Sequence, residues 1–80
     1  MRFLEPFTED QRAQIRASVA RHGGEYELLR LESLDNPTAA DAEAIIDLLG
    51  NDVAVDADGN PEPGADYVIS VIEAVTEHWT

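Results

Sequence analysis

Carboxylates are the most abundant chemically active side chains in this sequence, and most of them lie in residues 31–80. We call residues 1–30 the first half of the chain and residues 31–80 the second half. The chain has 17 Asp and Glu residues against five Arg and no Lys, for a formal net charge of −12. Residues 1–30 hold all five arginines and five acids, whereas residues 31–80 hold twelve acids and no Arg or Lys. Such a charge attracts basic surfaces and repels phosphates. We therefore expect a basic protein surface as partner, with no direct binding to nucleic acid or membrane.

Pairs of carboxylates one helical turn apart raise the question of acid–base catalysis. Glu43 and Asp47 form one such pair, and Glu73 and Glu77 form another. A glycosidase-type pair needs one carboxyl group that stays protonated inside a cleft. On amphipathic helices these four residues are expected to face water. No phosphate loop, Ser-His-Asp set or nucleotide fingerprint occurs, so we expect no enzymatic activity.

A metal site is the other chemistry that the sequence suggests. Residues 56–60, Asp-Ala-Asp-Gly-Asn, place oxygen ligands on alternate positions, as a calcium loop does. The first and last anchors of such a loop would be Ala54 and Ala65, which have no ligand atoms, and Asp66 is one residue out of register. The chain lacks cysteine, and its two histidines form no cluster. We therefore expect an ordinary Asp/Gly turn, no metal site and no cofactor.

The first predicted helix starts at Thr8, which caps the first turn and with Gln11 forms a Thr-x-x-Gln capping box. It ends at Gly23, a residue suited to a left-handed stop. Ala13, Ala17 and Ala20 give this helix a small-residue face that permits close approach of another helix. Before it, the segment 3–7 is too short for a helix and is expected to place its aromatic rings on the core.

Residues 25–35 are predicted to form a short helix, because Leu28, Leu31 and Leu34 recur at helical spacing and Leu, Glu and Arg are good helix formers, while a strand stays possible. The break at 36–38 allows two starts for the next helix: Asn36 as cap with Pro37 following, or Thr38 as cap with Asp41 three residues on. This third helix is expected to run to about Leu49 and to end at Gly50. Its apolar side gathers Ala42, Ile45, Ile46, Leu48 and Leu49.

The last helix, predicted over residues 65–78, has the cleanest periodicity in the chain. Its apolar stripe spans about 160° at 100° per residue and consists of Val68, Ile69, Val71, Ile72, Val75 and Trp79. Trp79 is expected to pack in the core, with an exposed anchor for a partner or a dimer as the alternative. Before this helix, residues 51–64 form a loop with a turn at Asp58-Gly59.

These elements predict a mainly α protein, a small bundle of three to four helices with a long acidic Gly/Pro loop between the last two. The chain is expected to form one domain over residues 1–80 and to lie in the cytoplasm. The alternative is an α+β fold with residues 25–34 and 53–55 as short strands. In either case Pro61 and Pro63 are expected to prevent regular structure before the last helix.

The sequence favours a non-enzymatic acidic module that inhibits or masks a basic partner. It would act as a mimic of DNA, in the manner of a phage anti-defence inhibitor or an immunity protein. The expected partner-binding residues are Glu43, Asp47, Asp52, Asp56, Asp58, Glu62, Asp66, Glu73 and Glu77. The alternative is a self-associating structural or assembly adaptor whose acidity serves solubility or adaptation to salt. In that case Ile72 and Trp79 would hold the copies together.

Overall fold

Four α-helices make up most of the computed structural model, which describes residues 1–53, 56–60, 62 and 64–79. They are α1 (Glu9–Arg21), α2 (Glu25–Glu32), α3 (Ala39–Gly50) and α4 (Ala65–Trp79). No strand occurs among the described residues. The mainly helical class is therefore confirmed, and the alternative strand over residues 25–34 is wrong because α2 occupies most of that range.

Between α3 and α4, the described residues form turns, a bend or unassigned backbone rather than helix or strand. The predicted turn at Asp58-Gly59 is confirmed, because Gly59 has a φ of +84° and its N–H donates to the carbonyl of Asp56 (3.0 Å). The short extended piece predicted over residues 53–55 falls largely on Ala54 and Val55, which lie outside the described residues. Pro61 and Pro63 lie outside them as well.

The helix starts follow side-chain capping. Gln11 N donates to Thr8 Oγ1 (3.1 Å) and Thr8 N donates to Gln11 Oε1 (2.9 Å), which completes the predicted capping box of α1. At α3 the cap is Thr38, whose N–H donates to the carboxylate of Asp41 (3.0 Å). Asn36 is not the cap. It adopts a φ of +56° and accepts a hydrogen bond from the amino group of Met1 (2.8 Å).

The helix ends differ in one detail from the prediction. Gly23 has a φ of +73° and stops α1 as expected. Gly50, by contrast, is the last residue of α3, and the C-cap is Asn51 in a right-handed conformation. A left-handed glycine is not required there, because the Asn51 N–H donates to the Asp47 carbonyl (3.1 Å) and continues the helical pattern.

The helices are arranged around α1 and α3. Each of these two contacts every other helix, and the pair α3 and α4 packs most extensively of all. Among the described residues α2 and α4 make no contact with each other. The α1 and α3 pair therefore separates α2 from α4, and the outer faces of α2 and α4 belong to different parts of the surface.

The N-terminal segment completes the core. The Phe3 ring is fully buried and stacks on Trp79 with centroids 5.9 Å apart, and it meets Phe7 edge to face at the same distance. Trp79 Nε1 donates to the Phe3 carbonyl (3.1 Å). Trp79 thus packs against the core, as predicted, and Ile72 also packs against it. The buried cluster consists of Phe3, Leu4, Phe7, Ile15, Val19, Leu28, Leu31, Ala42, Ile45, Leu49, Val68, Val71 and Val75.

The small-residue face of α1 is not a helix-packing face, and that prediction is wrong. Ala13, Ala17 and Ala20 are exposed. The buried positions of α1 are Ile15, Ser18 and Val19, which lie on another side of the helix. Burial follows the larger apolar side chains because they remove more apolar surface from water than alanine does.

Gly24, between α1 and α2, is the glycine that packing requires. A Cβ atom at this position would clash with a methyl group of Leu48 and would lie 3.3 Å from Val19 Cγ1. The absent side chain therefore allows the α1–α2 junction to approach α3 closely. Gly50, at the end of α3, has open space around the same position.

We expect Gly24→Ala to lower the free energy of unfolding by about 1 kcal/mol, since the Leu48 methyl group must move and Val19 is already close. Gly50→Ala adds the same atom where nothing opposes it and should raise stability by about 0.5–1 kcal/mol. Urea unfolding followed by circular dichroism measures both. Equal effects of the two substitutions would contradict the close approach at Gly24.

Candidate protein-binding surface

All five arginines are engaged within the chain. Four form ion pairs with carboxylates, and Arg12 instead donates to the carbonyls of Leu4 (2.8 Å) and Glu5 (3.0 Å). The ion pairs are Arg2–Asp35 (3.7 Å), Arg16–Glu32 (3.2 Å), Arg21–Asp52 (2.7 Å), Arg30–Glu27 (3.0 Å) and Arg30–Asp41 (3.6 Å). Four acids of the second half are thus neutralised by arginines of the first half.

The remaining acids of the second half carry uncompensated charge. Of the twelve acids in residues 31–80, four pair with arginine, which leaves eight. Within the described part of the chain, none of these eight has a cationic side chain within 4.0 Å, and all eight are exposed. They are Glu43, Asp47, Asp56, Asp58, Glu62, Asp66, Glu73 and Glu77. We call this set the acidic surface residues.

On α4 three of the acidic surface residues form one row. Asp66, Glu73 and Glu77 fall within about 40° of one another at 100° per residue. They lie opposite the buried positions of α4, which include Val71 and Val75. The row therefore faces solvent along the length of the helix.

On α3 the acidic surface residues are Glu43 and Asp47, one turn apart and exposed. Asp41 pairs with Arg30 of α2, and Glu43 lies about 160° around the α3 axis from Asp41. The Glu43 and Asp47 row thus points away from α2. Because α3 packs against α4, the two acidic rows lie on the solvent faces of adjacent helices.

The loop adds Asp56, Asp58 and Glu62, all exposed. One oxygen of Asp56 is used inside the turn, since Oδ1 accepts from the N–H groups of Asp58 (2.9 Å) and Asn60 (3.0 Å). This is the geometry of an Asx turn. Among the described residues, no group of three or more His, Cys, Asp or Glu side chains is arranged to hold a metal ion.

Asp52 differs from the other predicted site residues, because its side chain is only 5% exposed. Ser18 Oγ, fully buried, donates to Asp52 Oδ2 (2.7 Å), and Oδ1 accepts from Arg21 Nη1 (2.7 Å). His22 Nε2 lies 3.2 Å from the same oxygen. Asp52, two residues after the end of α3, therefore ties the segment after this helix to the end of α1, and it is not one of the acidic surface residues.

These contacts hold the pKa of the Asp52 carboxyl group below its ordinary value. The Ser18 hydrogen bond is the main cause, with smaller contributions from His22 and Arg21, and burial opposes them. A carboxyl group with a lowered pKa in the folded state stabilises that state above its ordinary pKa of about 3.9. The contribution is lost as the pH falls through the lowered value.

We expect Asp52→Asn to destabilise the fold at pH 7 by about 1–2 kcal/mol, because charge-assisted hydrogen bonds to a nearly buried carboxylate are lost. The difference from the wild type should shrink as the pH falls below about 4. Asp47→Asn is the matched control, since it makes the same chemical change at an exposed carboxylate with no cationic partner. Urea unfolding from pH 7 down to pH 3 measures both, and a pH-independent deficit in Asp52→Asn would contradict the role of its charge.

Residues of the first half also lie beside α4 and its acidic row, which the sequence analysis missed. Asp10, in the first turn of α1, lines an open groove with Tyr67 of α4, and Gln11 lines another with Glu77. Tyr67 is 40% exposed. Residues 1–30 are neutral as a whole, so the charge pattern of the sequence assigns none of their acids to a surface. An acid in a first helical turn also has a local explanation in the helix dipole.

Comparisons with known protein families, with curated protein sequences and with solved structures give no significant match to this chain. In the described part of the chain, no helix combines the length and the hydrophobicity that crossing a membrane requires. The charge distribution and the exposed faces of the helices are therefore the features that bear on function.

Proposed function

We propose that this chain binds a basic surface of another protein through the acidic surface residues and thereby masks or inhibits that partner. The observation that carries the proposal is the set of eight exposed carboxylates without cationic partners, on α3, α4 and the loop between them. Asp52, which the sequence placed in the same set, is excluded because its carboxylate is held inside the chain.

The arginines explain why the charge is available to a partner. All five already bind groups of this chain, so the fold has no further arginine or lysine with which to neutralise α4. An approaching basic protein replaces that missing charge. Electrostatic attraction of this kind accelerates association and weakens steeply as salt rises, because the Debye length is about 10 Å at 0.1 M ionic strength.

The arrangement of the carboxylates in rows favours one kind of partner site, a basic site that otherwise binds nucleic acid. An arginine side chain binds carboxylate and phosphate oxygens with the same bidentate geometry. Glu73 and Glu77 repeat along the helix axis at about 6 Å, so a row of arginines or lysines can engage successive residues. The proposed activity is therefore that of a DNA mimic, such as a phage anti-defence inhibitor or an immunity protein.

The alternative, that the acidity serves only solubility or adaptation to salt, makes a different prediction about contacts. Charge that acts through net repulsion does not depend on which carboxylates carry it. A binding surface does depend on their position. Two variants that remove the same number of glutamate charges from different positions therefore separate the two explanations.

We expect Glu73→Gln/Glu77→Gln to weaken binding of the partner about tenfold, because two close ion pairs are lost at the α4 row. The matched control is Glu5→Gln/Glu25→Gln, which removes the same charge from exposed positions of the first half and should change affinity less than twofold. Immobilised wild type and both variants are compared in capture from host lysate at 50 and 500 mM salt. Bound protein is then eluted with duplex DNA.

A partner that is retained at low salt, lost with the α4 variant and released by DNA supports mimicry. Release by salt but not by DNA supports a basic site of another kind. Empty capture by the wild type at low salt, or equal capture by all three chains, would rule out the proposed function.

A further inference from the structure

The most exposed large apolar side chains of the helices lie together on α2. Tyr26 is 79% exposed and Leu29 is 65% exposed, and they are three residues apart on one face of the helix. Beside them runs a mainly apolar groove of about 340 Å³ between α1 and α2, whose walls include Val19, Ala20 and Leu28. We call this surface, with Tyr26, Leu29 and the groove, the α2 face.

Two ion pairs border the α2 face, together with one acid, Glu25, that has no cationic side chain within 4.0 Å among the described residues. Arg16 and Glu32, which line the groove, pair with each other at 3.2 Å. Arg30, on α2 itself, pairs with Glu27 at 3.0 Å. Glu25, which also lines the groove, is an acid in the first turn of α2, where the helix dipole favours it. A second molecule approaching here thus meets apolar surface bordered by both signs of charge.

The α2 face is also separated from the acidic surface residues. Among the described residues α2 makes no contact with α4, and the Glu43 and Asp47 row of α3 lies on the side of that helix away from Arg30. Two chains of net charge −12 repel each other. At the α2 face the two copies can meet with only Glu25 of each as uncompensated charge and with all the acidic surface residues away from the contact.

We propose that two copies of this chain associate through the α2 face, with Tyr26 and Leu29 of each copy packed against the α1–α2 groove of the other. A symmetric dimer requires a patch that complements itself, and a face that is apolar at its centre and carries both charges at its edge meets this requirement. Among the described residues Glu25 is the one acid of this face outside an ion pair, against eight acidic surface residues elsewhere. The face thus offers a cationic partner little charge, which is why the occupant is a second copy.

A stable dimer sets a requirement on the area that the α2 face must bury. A standard interface buries about 800 Å² on each partner, which is roughly a sixth of the 4815 Å² surface of this chain. The dimer would leave the acidic surface residues of both copies exposed, so it would present two binding surfaces for a basic partner.

Sedimentation velocity on the purified full chain, from 10 µM to 1 mM at 0.15 and 1 M NaCl, tests the proposal. We expect a monomer–dimer equilibrium that is maintained or strengthened at 1 M NaCl, because salt screens the repulsion between the copies while the apolar contact persists. A wild type that stays monomeric up to 1 mM at both salt concentrations would overturn the proposal.

The variant Tyr26→Gln/Leu29→Gln should raise the dimer dissociation constant at least about tenfold. Glutamine has a helix propensity close to that of leucine, and circular dichroism checks that the exposed substitutions leave the fold intact. Tyr67→Gln on α4 is the control and should leave the dissociation constant unchanged. A dimer weakened by Tyr67→Gln but not by the α2 variant would overturn the proposal.

A second measurement does not depend on weakening the dimer. Because the wild-type chain has no cysteine, Leu29→Cys and Tyr67→Cys each provide one thiol for a bifunctional maleimide. Cross-linked dimer from Leu29→Cys but not from Tyr67→Cys supports the α2 face. The reverse pattern contradicts it. Both measurements use the purified chain alone, so their outcome is independent of whether the proposed basic partner exists.

Discussion

The engagement of all five arginines within the chain is the constraint on which the surface chemistry depends. Arg16 and Arg21 extend from α1 to Glu32 and Asp52, and Arg30 extends from α2 to Asp41. These pairs contribute little free energy individually where they are exposed. Their main consequence is the distribution of charge, because they neutralise acids of α2, of α3 and of the segments that follow these helices, and leave none of the five arginines for α4.

The order of helix packing converts this charge distribution into separate surfaces. Since α1 and α3 occupy the middle, α2 and α4 do not touch among the described residues. The N-terminal segment closes the core, with Phe3 against Trp79 and Arg12 bonded to the carbonyls of Leu4 and Glu5. The partly apolar α2 face and the acidic row of α4 therefore lie on different parts of the surface and share no side chains.

Asp52 shows why a count of acidic residues is an incomplete guide to a binding surface. In sequence it resembles Asp47 and Asp56, since all three lie near the end of α3 in a segment without cations. In the structure a buried hydroxyl group, an arginine and a histidine converge on its carboxylate. The same residue type thus serves stability at one position and remains available to solvent at the next.

The sequence by itself determined the helices, because their signals are local. Capping residues such as Thr8 and the periodicity of residues 65–78 act within a few turns. The aromatic rings of the N-terminal segment were also predictable, because large apolar side chains are favoured in the core. It left residues 25–35 ambiguous, since short apolar runs fit helix or strand until neighbouring elements cover one side. Only the tertiary structure decided which carboxylates are free, that the alanine face of α1 stays exposed, and that Tyr26 and Leu29 remain uncovered. Each of these depends on contacts between residues distant in sequence, such as Ser18 with Asp52, and no local pattern specifies such contacts.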